Sequence, residues 1–317
     1  MASDPSGVRD ASFEVPEGVL RKPIDGVLRA LMAGPSWGAV RKLITTGKVS
    51  KNGALVTDPL VWVSAGDRVV ICMTAKRPAT AARLSPQVIV HLDAQLVVVR
   101  KPAGVSTVPF EEGESGTLDQ LVRALLSRES RGRGGRAQGS IGVVHRLDKE
   151  TTGLLVFART LAAKKHLSQQ FRDHTVHRRY VALAHGALEG EYTFRSRLVA
   201  DRGDGLRGST ELPNAGQLAI THARPLETLV GASLVECQLE TGRTHQIRIH
   251  LAEAGHPLVG ERVYIRHFRG SPIAAPRTML HAKELGFLHP QTETEMRFED
   301  PWPEDFERTL RSLRPGG

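Results

Sequence analysis

Gly142 to Thr160 reads GVVHRLDKETTGLLVFART, two apolar runs divided by a short polar turn that carries one carboxylate, Asp148. The runs GVV and LLVFA read as strands. A helix over residues 161–174 follows them. Ala163, Leu167 and Phe171 recur at i, i+4 and i+8 as its core-facing stripe, and Thr160 stands where an N-cap belongs. The turn has a histidine and an arginine on one side of the acid, and two threonines and a glycine on the other. Asp148 is therefore a turn residue, an ion-pair partner, or the centre of a chemistry that needs one acid.

Downstream, RRYVALAHG returns as a strand carrying Tyr180. SLVECQLETGRTHQIRIHLAEAGHPLVG then gives an alternating strand (Val235, Cys237, Leu239), a Thr-Gly turn and a helix over about residues 244–254. Gly255 is its C-cap and Pro257 lies just beyond. The alternation of Ile247, Ile249 and Leu251 also permits a strand there. On the helix reading, Arg243 stands at a strand-to-helix turn, where an arginine can balance a buried acid.

Other chemistries fit poorly. A glycosidase needs two carboxylates across the scissile bond, and Glu150 is near Asp148 in sequence without a comparable setting. There is no serine-nucleophile elbow, no Walker loop, and no G-x-G-x-x-G after a strand. His245, His250 and His256 are spaced H-x4-H-x5-H with no acidic or cysteine companion, so no metal site is expected.

Upstream, residues 1–18 are polar, hold Pro5, Gly7, Pro16 and Gly18, and read as a disordered leader without an apolar signal core. A small domain is expected over 19–75. Two short amphipathic helices, DGVLRALM and WGAVRKLITTG, present Val27, Leu28 and Leu31 on one face and Val40, Leu43 and Ile44 on the other. Gly47 is a plausible C-cap, Asn52-Gly53 a hairpin turn, and a further strand pair is expected around Gly66-Asp67. Arg41, Lys42, Lys48 and Lys51 make the helix and hairpin side basic. A linker over 76–87 leads to a large domain over 88–312. In that domain SGTLDQLVRALLSRE is a helix, SRESRGRGGRAQGS is a basic glycine-rich loop, and 313–317 is a disordered tail.

The 317 residues carry 43 Lys and Arg against 34 Asp and Glu, a formal charge of +9, which suits a polyanionic partner. No run approaches the roughly 18 apolar residues of a membrane helix. Cys72 and Cys237, far apart in apolar surroundings, suit a reducing cytoplasm rather than a disulfide framework.

Two resemblances bear on these readings. VRKLITTGKVSKNG followed by VSAGDRVVI resembles the small RNA-binding domain named after a small-subunit ribosomal protein, here called S-four-like, with Trp37 and Gly38 where that family usually has serine and arginine. It implies RNA-backbone contacts from Arg41, Lys42, Lys48, Lys51 and Asn52. The large domain resembles the RluA-type pseudouridine synthases. HRLDKETTG matches their signature with Thr152 in place of serine. KPAGV, HRRYVAL, LETGRTHQIRIHLAEAGHPLVGE and LHAKELGFLHP match the other motifs in the family's order. The implied fold is α+β, with a mixed, mainly antiparallel sheet, flanking helices, and the small N-terminal α/β domain.

The second resemblance implies Asp148 as catalytic aspartate, Tyr180 as the ring stacked on the target base, and Arg243 as the partner of the acid. It further implies substrate contacts from His145, Arg146, Lys101, Thr152, Gln246 and His281. The reaction breaks the uracil–ribose C–N bond, turns the uracil and rejoins it through carbon 5, so no cofactor or metal is expected. Asp148 acts by attacking the anomeric carbon or by abstracting the 2′ proton. A stacked uridine must first leave its stack; Arg146 is expected to occupy the gap and His145 to contact the neighbouring backbone. Structured RNA is the expected partner, ribosomal RNA ahead of transfer RNA, for a cytoplasmic monomer. The rival reading is a non-catalytic RNA-binding or assembly factor, which intact Asp148, Tyr180 and Arg243 disfavour.

Overall fold

The computed structural model describes residues 9–19, 21–32, 35–57, 59, 61–75, 84–110, 116–132, 141–212 and 214–316. The chain divides into two units, residues 1–81 with 110–115, and residues 82–109 with 116–317. No helix among the described residues is long and apolar enough to cross a membrane.

The first unit begins inside the segment read as a leader. β1 (Ala11–Glu14) is followed by β2 (Lys22–Pro23), α1 (Ile24–Met32), α2 (Trp37–Thr45), β3 (Val49–Lys51), β4 (Ala54–Val56), β5 (Trp62–Val63) and β6 (Arg68–Ile71). The disordered leader is therefore corrected for residues 11–14, which pair antiparallel with β6, while Val15 is buried in this unit's core. Four residues whose alternation is flanked by Pro and Gly do not stand out in a polar average. Residues 1–8 lie outside the described residues. Asn52 (φ 49°) and Gly53 (φ 80°) both adopt the left-handed backbone of a two-residue hairpin turn. The strands on either side of Gly66-Asp67 form, but they do not pair with each other. β5 pairs with β2, and β6 lies between β1 and β3. Ile24, Leu28, Val40 and Ile44 fill the space between helices and sheet, as the amphipathic pattern requires.

The second unit contains β7 (Ile89–Leu92), β8 (Leu96–Lys101), α3 (Leu118–Gly132), β9 (Gly142–Val143), β10 (Thr152–Ala158), α4 (Leu161–Arg172), β11 (His177–His185) and β12 (Tyr192–Val199). It continues with β13 (Gly208–Ser209), β14 (Gln217–Leu229), β15 (Ala232–Leu239), α5 (Gln246–Glu253), β16 (Leu280–Leu288), β17 (Glu295–Glu299) and α6 (Glu304–Ser312). The strands form one sheet in the order β13-β12-β14-β15-β11-β16-β10-β8-β7, with β17 added to β16 and β9 to β10. Among the described residues only β10 and β16 pair in parallel; the other pairings are antiparallel. The fold is α+β with a mixed, mainly antiparallel sheet, as expected.

β10 reads as a continuous apolar run because the sheet is covered on both faces. Leu155 and Phe157 enter one core cluster with α3, and Leu154 and Val156 enter another with α4. Each is 1% exposed or less, and burying such a side chain contributes about 1.5–3 kcal/mol.

Both ends of this unit correct the sequence reading. Leu84 is buried in its core and Ser85 caps a short helical turn over Pro86–Val88, so 84–87 is anchored and partly helical rather than a linker; 76–83 lies outside the described residues. α3 runs on into the basic segment as far as Gly132, and 133–140 lies outside. At the C-terminus Leu313 is buried beside Phe306 and Leu310, and Arg314 pairs with Glu227 at 2.8 Å. The tail is thus packed through 314, because the apolar stripe of α6 continues past its cap.

Gly153 opens β10 at φ 110°, and a Cβ there would lie 2.2 Å from the carbonyl oxygen of Ala282 on β16. Gly153→Ala is expected to combine backbone strain with a backbone clash beside Asp148 and to cost on the order of 3 kcal/mol. Thermal unfolding of the pure variant checks it; a melting temperature equal to wild type would show that β10 and β16 can separate at no cost.

Candidate active site

Asp148 sits in the irregular segment between β9 and β10, and backbone-directed bonds hold that segment in shape. Lys101, at the end of β8 and 1% exposed, donates from Nζ to the carbonyls of Pro102 (2.9 Å), Lys149 (2.8 Å) and Thr151 (2.8 Å). Burial pulls this amine down to about 7, against the opposing pull of Glu150 and Asp148. The three carbonyls engage all three ammonium protons, so the charged form is the one that fits. The Gly104 N–H also donates to the Lys149 carbonyl (2.9 Å). On the other side Thr107 donates to the Leu147 carbonyl (2.8 Å) and accepts from its N–H (3.1 Å). Lys101 is a rivet of the acid's turn rather than a surface that substrate can reach. Thr107, its counterpart, carried no signal in the sequence.

The arginine beside the acid is Arg248, not Arg243. Arg248 Nη1 lies 3.5 Å from Asp148 Oδ2. The rest of its guanidinium is held by Glu261, with Nε donating at 2.7 Å and Nη2 at 2.8 Å. Burial alone would lower the Arg248 pKa; the Glu261 hydrogen bonds and charge, with that of Asp148, raise it above its ordinary value. Burial would raise Glu261, and the same hydrogen bonds hold it below the usual carboxylate range. Arg243 instead donates from Nε to the Leu218 carbonyl (2.9 Å). The helix reading of 244–254 is right to within two residues at its start, and it decides the matter. A residue two places into α5 faces the acid, whereas the turn residue before it is drawn toward β14. Arg248 was legible only as part of the matched motif.

Tyr180 lies on β11, where the pairing with β16 slips between Arg179 and Tyr180, a bulge that re-aims the side chain. It is buried, in the same core cluster as Leu147, Leu239 and Ile247. Burial and the nearby Asp148 charge raise its hydroxyl pKa, and Arg178 opposes them. Tyr180 therefore enters the site as a neutral ring.

Of the six residues expected to touch substrate, only Arg146 is exposed, with Nη2 donating to Thr244 Oγ1 at 3.1 Å. His145 is a correction: its Nε2 accepts from the Val156 N–H (3.1 Å) and its ring stacks on Phe171 of α4 at 4.5 Å. Burial, then the Arg178 charge, lowers it to about 3, which fits a neutral ring whose Nε2 is an acceptor. Thr152 and His281 are also internal, joined Oγ1 to Nδ1 at 2.9 Å. The Asp300 carbonyl needs the Nε2 proton (3.3 Å), so Thr152 donates to Nδ1. Gln246 ties α5 to β14, with Nε2 donating to the Ile220 carbonyl and to Thr221 Oγ1, both at 2.9 Å. Motif positions that read as substrate contacts are mostly the framework that aims Asp148.

His245, His250 and His256 do not converge. His245 is the N-cap of α5, left-handed at φ 61°, with Nδ1 2.6 Å from the Tyr264 hydroxyl and Nε2 4.0 Å from Asp148 Oδ1. His250 bonds to Thr221 and Ser196, and His256 Nδ1 donates to the His185 carbonyl.

In the N-terminal unit Arg41 pairs with Asp25 (2.9 Å), and Lys48 donates to the carbonyls of Met73 (2.7 Å) and Ala75 (2.5 Å). Lys51 pairs with Asp67 (2.9 Å), whose Oδ1 also accepts from Asn52 (2.7 Å). The Lys51 bond is the largest cause of the fall of Asp67 to about 2. Of the five expected RNA-binding residues, Lys42 and Asn52 are exposed and the other three half-buried.

Residues 95–253 match the RNA pseudouridylate synthase family. A Zymomonas mobilis protein named ribosomal large subunit pseudouridine synthase D is 36% identical over 299 residues, 92% of this chain and 93% of its own. One of the same name from Xylella fastidiosa is 36% identical over 317 residues, 95% and 91% of the two chains. The solved structure of human RNA pseudouridylate synthase domain containing 4 covers 72% of this chain and 93% of its own, with a TM-score of 0.57 at 24% identity, a likeness of fold. The family match spans both the Asp148 turn and the Arg248 helix, and the relatives extend it along almost the whole chain. This protein therefore belongs to the RNA pseudouridylate synthase family and is a pseudouridine synthase, an isomerase.

Proposed function

We propose that this chain isomerises specific uridines of structured RNA, ribosomal RNA first, through Asp148 and without a cofactor, in the cytoplasm. The observation that carries the reading is the contact between Asp148 and Arg248 at 3.5 Å, with that arginine itself fixed by buried Glu261. An acid that keeps one geometry and one counter-charge suits a reaction that opens and remakes a bond to a single carbon. Relatives whose names specify the ribosomal large subunit support ribosomal RNA as the substrate.

In this reading the target uridine leaves its stack, its base lies on the Tyr180 ring, and Asp148 acts at the sugar. The apolar core that Tyr180 shares with Leu147, Leu239 and Ile247 keeps water from the freed base, so the outcome is isomerisation rather than hydrolysis. The +9 charge and exposed Lys42 serve the RNA backbone.

Arg146 fills the space the base leaves. Arg146→Ala is expected to weaken productive RNA binding about tenfold with the melting temperature unchanged, since the side chain is exposed and bonds only to Thr244 among the described residues. Steady-state kinetics on a fragment containing the target check it, and unchanged turnover would remove Arg146 from the mechanism. The function is tested by tritium release from carbon-5-labelled uridine in separate ribosomal and transfer RNA fractions. Release from ribosomal RNA is expected; release from transfer RNA alone would move the substrate, and none from either would favour a non-catalytic RNA-binding factor.

A further inference from the structure

Arg178 stands two positions before Tyr180 on β11 and is 6% exposed. Among the described residues it forms no ion pair with a carboxylate. Its Nη2 donates to the Glu240 carbonyl at 2.6 Å, its guanidinium lies 5.6 Å from the Phe171 ring centre, and its Nε finds no hydrogen-bond partner among the described residues. The turn above it has made room. A Cβ on Gly242 would lie 2.6 Å from Arg178 Nη1, so glycine there leaves the guanidinium its place. Arg248 is compensated by Glu261, Arg277 by Asp305 and Arg179 by Glu284, and buried Lys101 gives all three of its protons to carbonyls, whereas Arg178 has neither a carboxylate nor an acceptor for its Nε among the described residues. An unbalanced buried charge is costly and a well-packed apolar side chain would be cheaper. Its retention beside Tyr180 calls for an anion that exists only during the reaction.

The isomerisation makes such an anion. When the C1′–N1 bond breaks, its electron pair stays on the uracil ring and is shared among N1, O2 and O4. When carbon 5 bonds to C1′ that pair is used, the carbon-5 proton departs, and N1 takes up a proton, so nothing is gained or lost. This holds whether Asp148 attacks the sugar or abstracts its 2′ proton. We propose that Arg178 is the fixed positive charge that stabilises the detached, anionic uracil beside Tyr180. The inference rests on the reading of the Asp148 and Tyr180 site given above. Burial lowers the Arg178 pKa, the neighbouring Tyr180 phenol raises it and the Arg243 charge lowers it. A cation set in a dry site before the reaction needs no reorganisation when the charge develops.

The test compares Arg178→Met and Arg178→Lys with wild type in single-turnover conversion of a target RNA, with RNA affinity and melting temperature measured alongside. Arg178→Met is expected to slow conversion by about 100-fold, to change affinity by less than about threefold, and to melt no lower than wild type because it removes an unbalanced charge. Arg178→Lys should stay within about tenfold of wild type, since it keeps the charge. A 5-fluorouracil target, whose ring holds negative charge better, should narrow the Arg178→Met deficit in glycosidic cleavage. Wild-type rates in Arg178→Met would overturn the inference. So would a melting temperature several degrees lower with the rate loss shared by Arg178→Lys, which would make the residue structural. Asp148→Asn in the same assay separates the two levels: if it converts RNA normally, the site reading itself fails, whatever Arg178 does.

Discussion

Asp148→Asn is expected to lower single-turnover conversion of a target uridine by at least about 1,000-fold while RNA affinity stays within about threefold of wild type. The asymmetry follows from where the carboxylate stands. Its side chain is 23% exposed, so it is not a pillar of the core, and the turn that carries it is shaped through backbone atoms by Lys101, Gly104 and Thr107. The amide preserves volume and loses the charge and nucleophilicity. Arg248 keeps Glu261 and is not stranded. The melting temperature should therefore barely move. A large loss of RNA binding would make Asp148 a recognition residue instead, and a rate near wild type would remove it from the chemistry.

Arg248→Met is expected to cost both activity and stability, and Arg243→Met neither to a comparable degree. Removing Arg248 leaves Glu261 buried without its cation, a loss of about 3–5 kcal/mol, and it frees Asp148 from its counter-charge, with a rate loss of at least about 100-fold. Arg243 contributes one hydrogen bond to the Leu218 carbonyl, worth about 1 kcal/mol, and its replacement should cost less than tenfold in rate. The double variant Arg248→Met/Glu261→Met separates the effects. It removes both charges, so stability should return while activity does not. Thermal unfolding and single-turnover rates on the four proteins check the set. Inactive Arg243→Met beside active Arg248→Met would restore the turn arginine as the partner of the acid.

The sequence displayed some parts of this molecule well because their physical cause is local. Apolar runs, the Thr160 cap, the Asn52-Gly53 turn and Gly255 after α5 each declare themselves within a few residues, and the matched motifs set Asp148 in its turn and Tyr180 on its strand. What stayed hidden depends on pairing across distance. β1 is recognisable only once β6 is beside it, and β5 and β6 look like a hairpin until each is seen in a different sheet. The choice between Arg243 and Arg248 turns on which face of α5 meets the β9–β10 turn, and no periodicity within one helix contains that. The roles of His145, Thr152, Gln246 and His281 failed for the same reason. A polar residue in a motif looks like a substrate ligand until its buried partners, here Val156, His281, Thr221 and Asp300, are in view.

We propose that Asp148, set by Arg248, isomerises uridines in ribosomal RNA. A pseudouridine map of ribosomal RNA from cells lacking the protein, complemented with wild type or with Asp148→Asn, tests it most directly. Discrete sites are expected to vanish on deletion, return with wild type and stay absent with Asp148→Asn. Return of those sites with Asp148→Asn, or a map unchanged by the deletion, would contradict it.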